Sequence, residues 1–174
     1  TITNGTATIS TASTTTNITE IDNIISFALS VVSEDVVDDA ATQQATITEE
    51  NDLDDLATFT ITVTGFPLTG ANTASIDVDF TGSSINADFV TGALASLALV
   101  IGSTTGVTLA GNTLTFTSGY NGDPINFSVE AFDDGDDEGP EDLIATLSGD
   151  AIDNGTSSIV GGQSVATVDI LDDD

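Results

Sequence analysis

Ile125-Asn126-Phe127-Ser128-Val129-Glu130-Ala131-Phe132 leads into Asp133-Asp134-Gly135-Asp136-Asp137-Glu138-Gly139-Pro140-Glu141-Asp142, and that into Leu143-Ile144-Ala145-Thr146-Leu147-Ser148. Two alternating apolar runs flank a block made mostly of carboxylates. In the first run the apolar residues stand at 125, 127, 129 and 131, and in the second at 143, 145 and 147. Period two is the mark of a strand with one face buried. The acidic block therefore joins two strands and sits where both end.

Outward from this stretch the same alternation recurs. It appears in Ile25, Phe27, Leu29 and Val31, in Phe59, Ile61 and Val63, and in Ile76, Val78 and Phe80. It returns in Leu114 and Phe116 and in Ala166, Val168 and Ile170. Thr, a β-branched residue suited to pleated surfaces, fills many of the positions between. Thr64-Gly65, Gly70-Ala71-Asn72, Gly111-Asn112 and Gly149-Asp150 supply turn chemistry between the runs. Short strands at turn-punctuated spacing predict an all-β, antiparallel sandwich. Thr91 to Ile101, around Leu94, Leu97 and Val100, reads equally as a helix or a buried strand. Residues 1–42 differ in texture: a Thr/Ser-rich stretch precedes the strand at 25–32. They are expected to form a linker plus an extra edge strand, or a strand given to a neighbouring subunit by sheet-edge addition.

The chain has 174 residues, 39% hydrophobic, enough for one domain with a real core. It holds 29 Asp and Glu and no Lys, Arg or His, for a formal net charge of −29. Phosphate contacts depend on Lys and Arg, so nucleic-acid binding is excluded, as is attraction to anionic lipid. With neither His nor Cys, imidazole and thiolate metal sites and the Ser–His or Cys–His nucleophiles cannot be built. Hard oxygen chemistry remains, which is that of calcium. No apolar stretch reaches the roughly 18–20 residues that span a bilayer, so no membrane insertion is expected.

The carboxylates concentrate at strand ends. Besides the block at 133–142 there are Asp172-Asp173-Asp174 after Ile170-Leu171, and Glu49-Glu50-Asn51-Asp52 with Asp54 and Asp55. One such run reads as a solvated turn. Three runs that meet at one pole, in a chain with no cations, repel one another unless an ion intervenes. No local calcium loop fits, since position twelve of an EF-hand begun at Asp134 is Ala145. The site is expected to be assembled from distant segments.

Two of these blocks carry a family resemblance. Ser128 to Asp134 followed by Glu138-Gly139-Pro140-Glu141-Asp142-Leu143, and the closing Ala166-Thr167-Val168-Asp169-Ile170-Leu171-Asp172-Asp173-Asp174, resemble the Calx-β signature. Ala45-Thr46-Ile47-Thr48-Glu49-Glu50 resembles its opening strand, Asn86-Ala87-Asp88-Phe89 its D-Y/F element, and Leu114-Thr115-Phe116 with Gly119 a later strand and turn. The resemblance covers about residues 43–174, leaving 1–42 as an N-terminal extension. It implies an immunoglobulin-like sandwich of about seven strands with Ca²⁺ at the pole near the C-terminus. By position it implies Glu49, Asp88, Asp133, Asp134, Glu138, Glu141, Asp172, Asp173 and Asp174 as ligands, with the backbone carbonyl of Asp136.

These readings predict a non-enzymatic, calcium-binding structural or adhesive module of an extracellular, cell-surface protein, filament or surface layer. Calcium would stiffen the junction to a following domain. The expected partners are neighbouring copies or domains of the same protein, by strand addition through residues 20–35. Two alternatives stay open: a calcium-sensing regulatory module, and a halophilic acidic domain without specific calcium binding. A carboxylate-based glycosidase is disfavoured by one Tyr and no Trp, because sugar sites lean on aromatic platforms.

Overall fold

The structure is a computed structural model and describes residues 23–33, 42–49, 56–84, 88–133 and 139–171. Among the described residues ten strands and one helix follow in the order β1 (Asn23–Ser33), β2 (Gln44–Thr48), β3 (Leu56–Thr64), β4 (Ala74–Gly82), α1 (Ala93–Ile101), β5 (Val107–Ala110), β6 (Thr113–Phe116), β7 (Ile125–Glu130), β8 (Glu141–Ile152), β9 (Gly155–Ile159) and β10 (Val165–Leu171). They form two sheets, one ordered β7-β3-β1-β9 and the other β2-β10-β8-β4-β6-β5. The expected all-β sandwich is what forms.

The alternating apolar residues face inward. Ile25, Phe27, Leu29 and Val31 of β1 meet Phe59 and Ile61 of β3, Val78 of β4, Leu143 and Leu147 of β8 and Val168 of β10 in one core. Aromatic rings join the layers. Phe27 of β1 lies 5.8 Å from Phe116 of β6, and Phe59 of β3 meets Phe80 of β4 edge-on at 6.4 Å while stacking on Phe127 of β7 at 5.2 Å. Such contacts add to what area burial alone supplies.

Within residues 91–101 the structure forms the helix α1, Ala93–Ile101. Ala93, Leu97 and Ile101 are its buried residues, spaced four apart as one helical face requires, and Ala and Leu are strong helix formers. The helix lies along β7, and Ser96 Oγ donates to the Ser128 carbonyl at 2.5 Å. Together with the Phe89↔Ala131 bridge it covers that edge of the sheet.

Two features differ from the expected antiparallel arrangement with an appended strand. β1 pairs parallel with β9, and β2 pairs parallel with β10. Period two decides which face a residue takes, but neither its neighbour nor the neighbour's direction. In addition, β1 is an interior strand, antiparallel to β3 on one side and parallel to β9 on the other. Ile25, Phe27 and Leu29 have no exposed surface, so the core does not divide at residue 42. Residues 1–22, which hold the expected linker, lie outside the described residues. Gly155 makes the β1–β9 pairing feasible: it has φ +134°, and a Cβ there would sit 2.0 Å from the Asn23 carbonyl oxygen.

If β1 belongs to the core as described, Phe27→Ala destabilises the protein by about 3–5 kcal/mol, as ring removal from a closed core does. Urea unfolding measures this. A dispensable N-terminal strand would leave the midpoint unchanged.

Candidate calcium pole

The inward rows of three strands run from apolar residues into carboxylates at one end of the sandwich. On β2 the buried residues Ala45 and Ile47 are followed two positions later by Glu49, itself only 6% exposed. On β8 the row Leu147, Leu143 continues backwards, by the same period, to Glu141. Phe127 and Val129 of β7, and Ala131 just beyond it, are followed at the next alternate position by Asp133, which is exposed. The β10 row Ala166, Val168, Ile170 has Asp172 as its next alternate residue, outside the described residues. The alternation that builds the core therefore also aims the carboxylates.

Backbone contacts tie these ends together in sequence. The Glu49 N–H donates to the Leu171 carbonyl at 2.9 Å, and Ile170 is paired with Glu141. Gly82 pairs with Leu143, and the Ser84 N–H donates to the Asp142 carbonyl at 3.1 Å. Ser84, fully buried, donates through Oγ to Asp88 Oδ2 at 2.5 Å. The Phe132 N–H donates to the Asp88 carbonyl at 3.0 Å, which brings Asp133 to the same end. Glu49, Asp88, Asp133 and Glu141 thus belong to segments gathered at one pole.

The remaining expected residues, Asp134, Asp136, Glu138, Asp172, Asp173 and Asp174, lie outside the described residues. Among the described residues, no three carboxylates are grouped so as to hold a metal ion by themselves. Composition decides what such a pole can take. Every donor is an oxygen, and Glu49 is buried in a chain with no cationic side chain anywhere. Such an all-oxygen donor set suits calcium, which takes about six to eight oxygens in flexible geometry.

Two residues that sequence reading did not single out brace the pole. Ser83 donates to Asp142 Oδ1 through both its backbone N–H and its hydroxyl, each at 2.8 Å, and its Oγ accepts the Asp142 N–H at 2.9 Å. The Ser83 N–H first, and its hydroxyl second, hold the Asp142 carboxyl below the usual carboxylate range. Asp142 has the outward parity of β8, so it acts as a clasp between β4 and β8. Ser84 does the same for Asp88 from inside. Nothing in the sequence marks either serine, because each contact depends on a register set by distant strands.

No protein-family model matches the chain, and no curated protein matches it. Solved structures do. The apo-form Calx CBD1 domain is 19% identical, over 84% of this chain and 99% of that one, with a TM-score of 0.45. The calcium binding domain CBD12 of CALX1.1 is 23% identical over 75% of this chain and 42% of that one, at 0.44. CBD12 from CALX1.2 is 17% identical over 83% and 44%, at 0.40. The structures that this sandwich is similar to include these Calx domains, and this chain spans less than half the length of the two CBD12 chains. What the pole can bind follows from its own residues, not from this likeness.

Ser84→Ala removes the hydroxyl donor from a half-buried carboxylate. It is expected to cost about 1.5–3 kcal/mol of stability in EDTA, the range for a hydrogen bond to a charged group. Denaturant unfolding checks this, and an unchanged midpoint would show that Ser84 does not hold Asp88.

Proposed function

We propose that this chain is a calcium-binding structural module of an extracellular or cell-surface protein, and that calcium rigidifies its acidic pole and the junction to the next domain or subunit. The observation that carries this is the run of core rows into Glu49, Glu141 and Asp133 at one end of a chain with no Lys, Arg or His. Glu49, Asp88, Asp133 and Glu141 would hold the ion, with Asp134, Glu138, Asp172, Asp173 and Asp174 and the Asp136 carbonyl completing its shell. Calcium supplies what the chain lacks, a compact positive charge that can be shared among carboxylates brought in from distant strands.

Several features agree with this role. Among the described residues no helix is long and apolar enough to cross a membrane. Extracellular calcium modules typically bind at about 10⁻⁴–10⁻³ M, a range that needs no preformed rigid cage. Neighbouring copies or domains of the same protein are the partners we infer. Addition of β1 to a neighbour's sheet would require β3 or β9 to leave, because both of its edges are paired.

Thermal unfolding in EDTA, millimolar calcium, millimolar magnesium and ionic-strength-matched NaCl tests the proposal. About 10 mM calcium, ten- to a hundredfold over a Kd in that range, adds about 1.4–2.7 kcal/mol. For a domain of this size that raises Tm by roughly 3–10 °C. The increment is expected with calcium alone, and Glu49→Gln with Glu141→Gln is expected to abolish it. Equal stabilisation by all three salts would make the acidity a matter of screening and remove the calcium role.

A further inference from the structure

Between β6 and β7 the chain turns through Asn121-Gly122-Asp123-Pro124, at the end of the sandwich away from Asp133. Asp123-Pro124 is the one Asp-Pro pair in the sequence. Two properties set such a bond apart from other peptide bonds. Its nitrogen belongs to a tertiary amide with no N–H, which makes it the more basic leaving group. An aspartate side chain can also reach its own backbone carbonyl carbon, closing a succinic-type ring.

Here both reacting groups are held. Tyr120, only 1% exposed, donates through its hydroxyl to the carbonyl oxygen of Asp123, the carbonyl of that bond. Burial first, and the Asp123 charge second, push the Tyr120 hydroxyl up to about 12, so it stays a donor. Its ring is fixed by Phe66, edge-on at 4.9 Å, and by Phe116, tilted at 5.1 Å. Asn121 holds the carboxylate: Nδ2 donates to Asp123 Oδ2 at 2.5 Å, and Oδ1 accepts the Asp123 N–H at 3.1 Å. Asp123 and Pro124 are exposed and line a cleft of about 500 Å³ with Ser103, Thr104 and Asn121, so water reaches the bond.

We propose that Asp123-Pro124 is a self-cleavage site, at which the Asp123 carboxylate is the nucleophile and the Tyr120 hydroxyl steadies the oxyanion. A carboxylate oxygen of Asp123 bonds to the backbone carbonyl carbon, and the charge that builds on the carbonyl oxygen faces the Tyr120 hydroxyl. The C–N bond breaks, its electron pair staying with the Pro124 nitrogen, which takes a proton from water. Residue 123 is left as a cyclic anhydride. Water opens this to two carboxyl groups, so the net reaction consumes one water and no other reagent. Because the nitrogen must be protonated to leave, cleavage quickens as the pH falls. The two pieces stay together afterwards. β7 with β3, β8 with β4 and β10 with β2 are pairings that cross the cut. The product is a two-chain sandwich whose new Pro124 amino group is a cation, in a chain with no Lys, Arg or His. None of this involves the acidic pole, which lies at the other end.

Incubation of the full chain over days at about pH 5 and about pH 7, read by denaturing electrophoresis and mass spectrometry, tests this. Fragments 1–123 and 124–174 should appear, faster at the lower pH, and Asp123→Ala should give neither. Unfolding the wild type in urea at the same pH removes the Tyr120 contact and should slow cleavage at least about tenfold. Tyr120→Phe should slow it as much in the folded chain and leave the rate in urea unchanged. The urea comparison needs no variant, so it decides the matter if Tyr120→Phe does not fold. An intact chain at both pH values would overturn the proposal, as would equal rates at the two. So would a smaller than tenfold loss in urea, which is the generic lability of an Asp-Pro bond. A Tyr120 hydroxyl that only pins the turn would lower the unfolding midpoint in Tyr120→Phe and leave the cleavage rate alone, and that result also overturns it.

Discussion

Every carboxylate in this protein must be balanced by something other than a side-chain cation of its own chain, because the chain has none. That constraint shapes the rest. Ordinary acidic proteins scatter Lys and Arg among their Asp and Glu and lose little by doing so. Here repulsion can be relieved only by hydrogen bonding, by separation, or by ions from solution. Hydrogen bonding is visible among the described residues. Asp142 is clasped by Ser83, Asp153 accepts from Thr73 through both N–H and hydroxyl, and Asp77 and Asp79 accept from Thr113 and Asn112. Among the described strand positions on the outer face of the four-stranded sheet the one carboxylate is Glu130, while Glu49, Asp133 and Glu141 stand at or just beyond strand ends.

The core is what makes that pole. An inward-facing row is dictated by burial, and extending it by one more step of two residues carries it from apolar interior to the rim. Evolution of such a rim needs only carboxylates at the next inward position on each strand. Glu49 and Glu141 stand in that position on the two strands that flank β10. The device is rigid where it must be, because strands packed around Phe27, Phe59 and Phe127 do not slide without moving every inward side chain to the wrong face. Gly82, with φ +130° and its Cβ position 2.2 Å from the Asp142 carbonyl oxygen, lets β4 and β8 close at the pole.

Much of this was legible in the sequence. Runs such as Ile25-x-Phe27-x-Leu29-x-Val31 have one physical solution, a strand with one buried face, and each became one. Glu49 and Glu141 continue the alternation of Ile47 and Leu143, so their place at the strand ends could be read from the sequence. Other parts were not legible. β9 (Gly155–Ile159) reads as Gly-Thr-Ser-Ser-Ile and β5 is four residues long, too little alternation to announce a strand. The parallel β1–β9 and β2–β10 pairings join residues more than a hundred positions apart, with no hairpin to fix their direction. The helix at 93–101 and the buried strand that rivalled it share the same apolar composition, and only packing along β7 decides between them. Ser83 and Ser84 were silent for the same reason.

Anomalous scattering from crystals grown in calcium tests the central claim most directly. The account predicts density within about 2.3–2.6 Å of carboxylate oxygens of Glu49 and Glu141, at the end of the rows that begin in the core. Calcium found only on the outer face of the six-stranded sheet, among Asp77, Asp79 and Asp169, or nowhere at all, would contradict it.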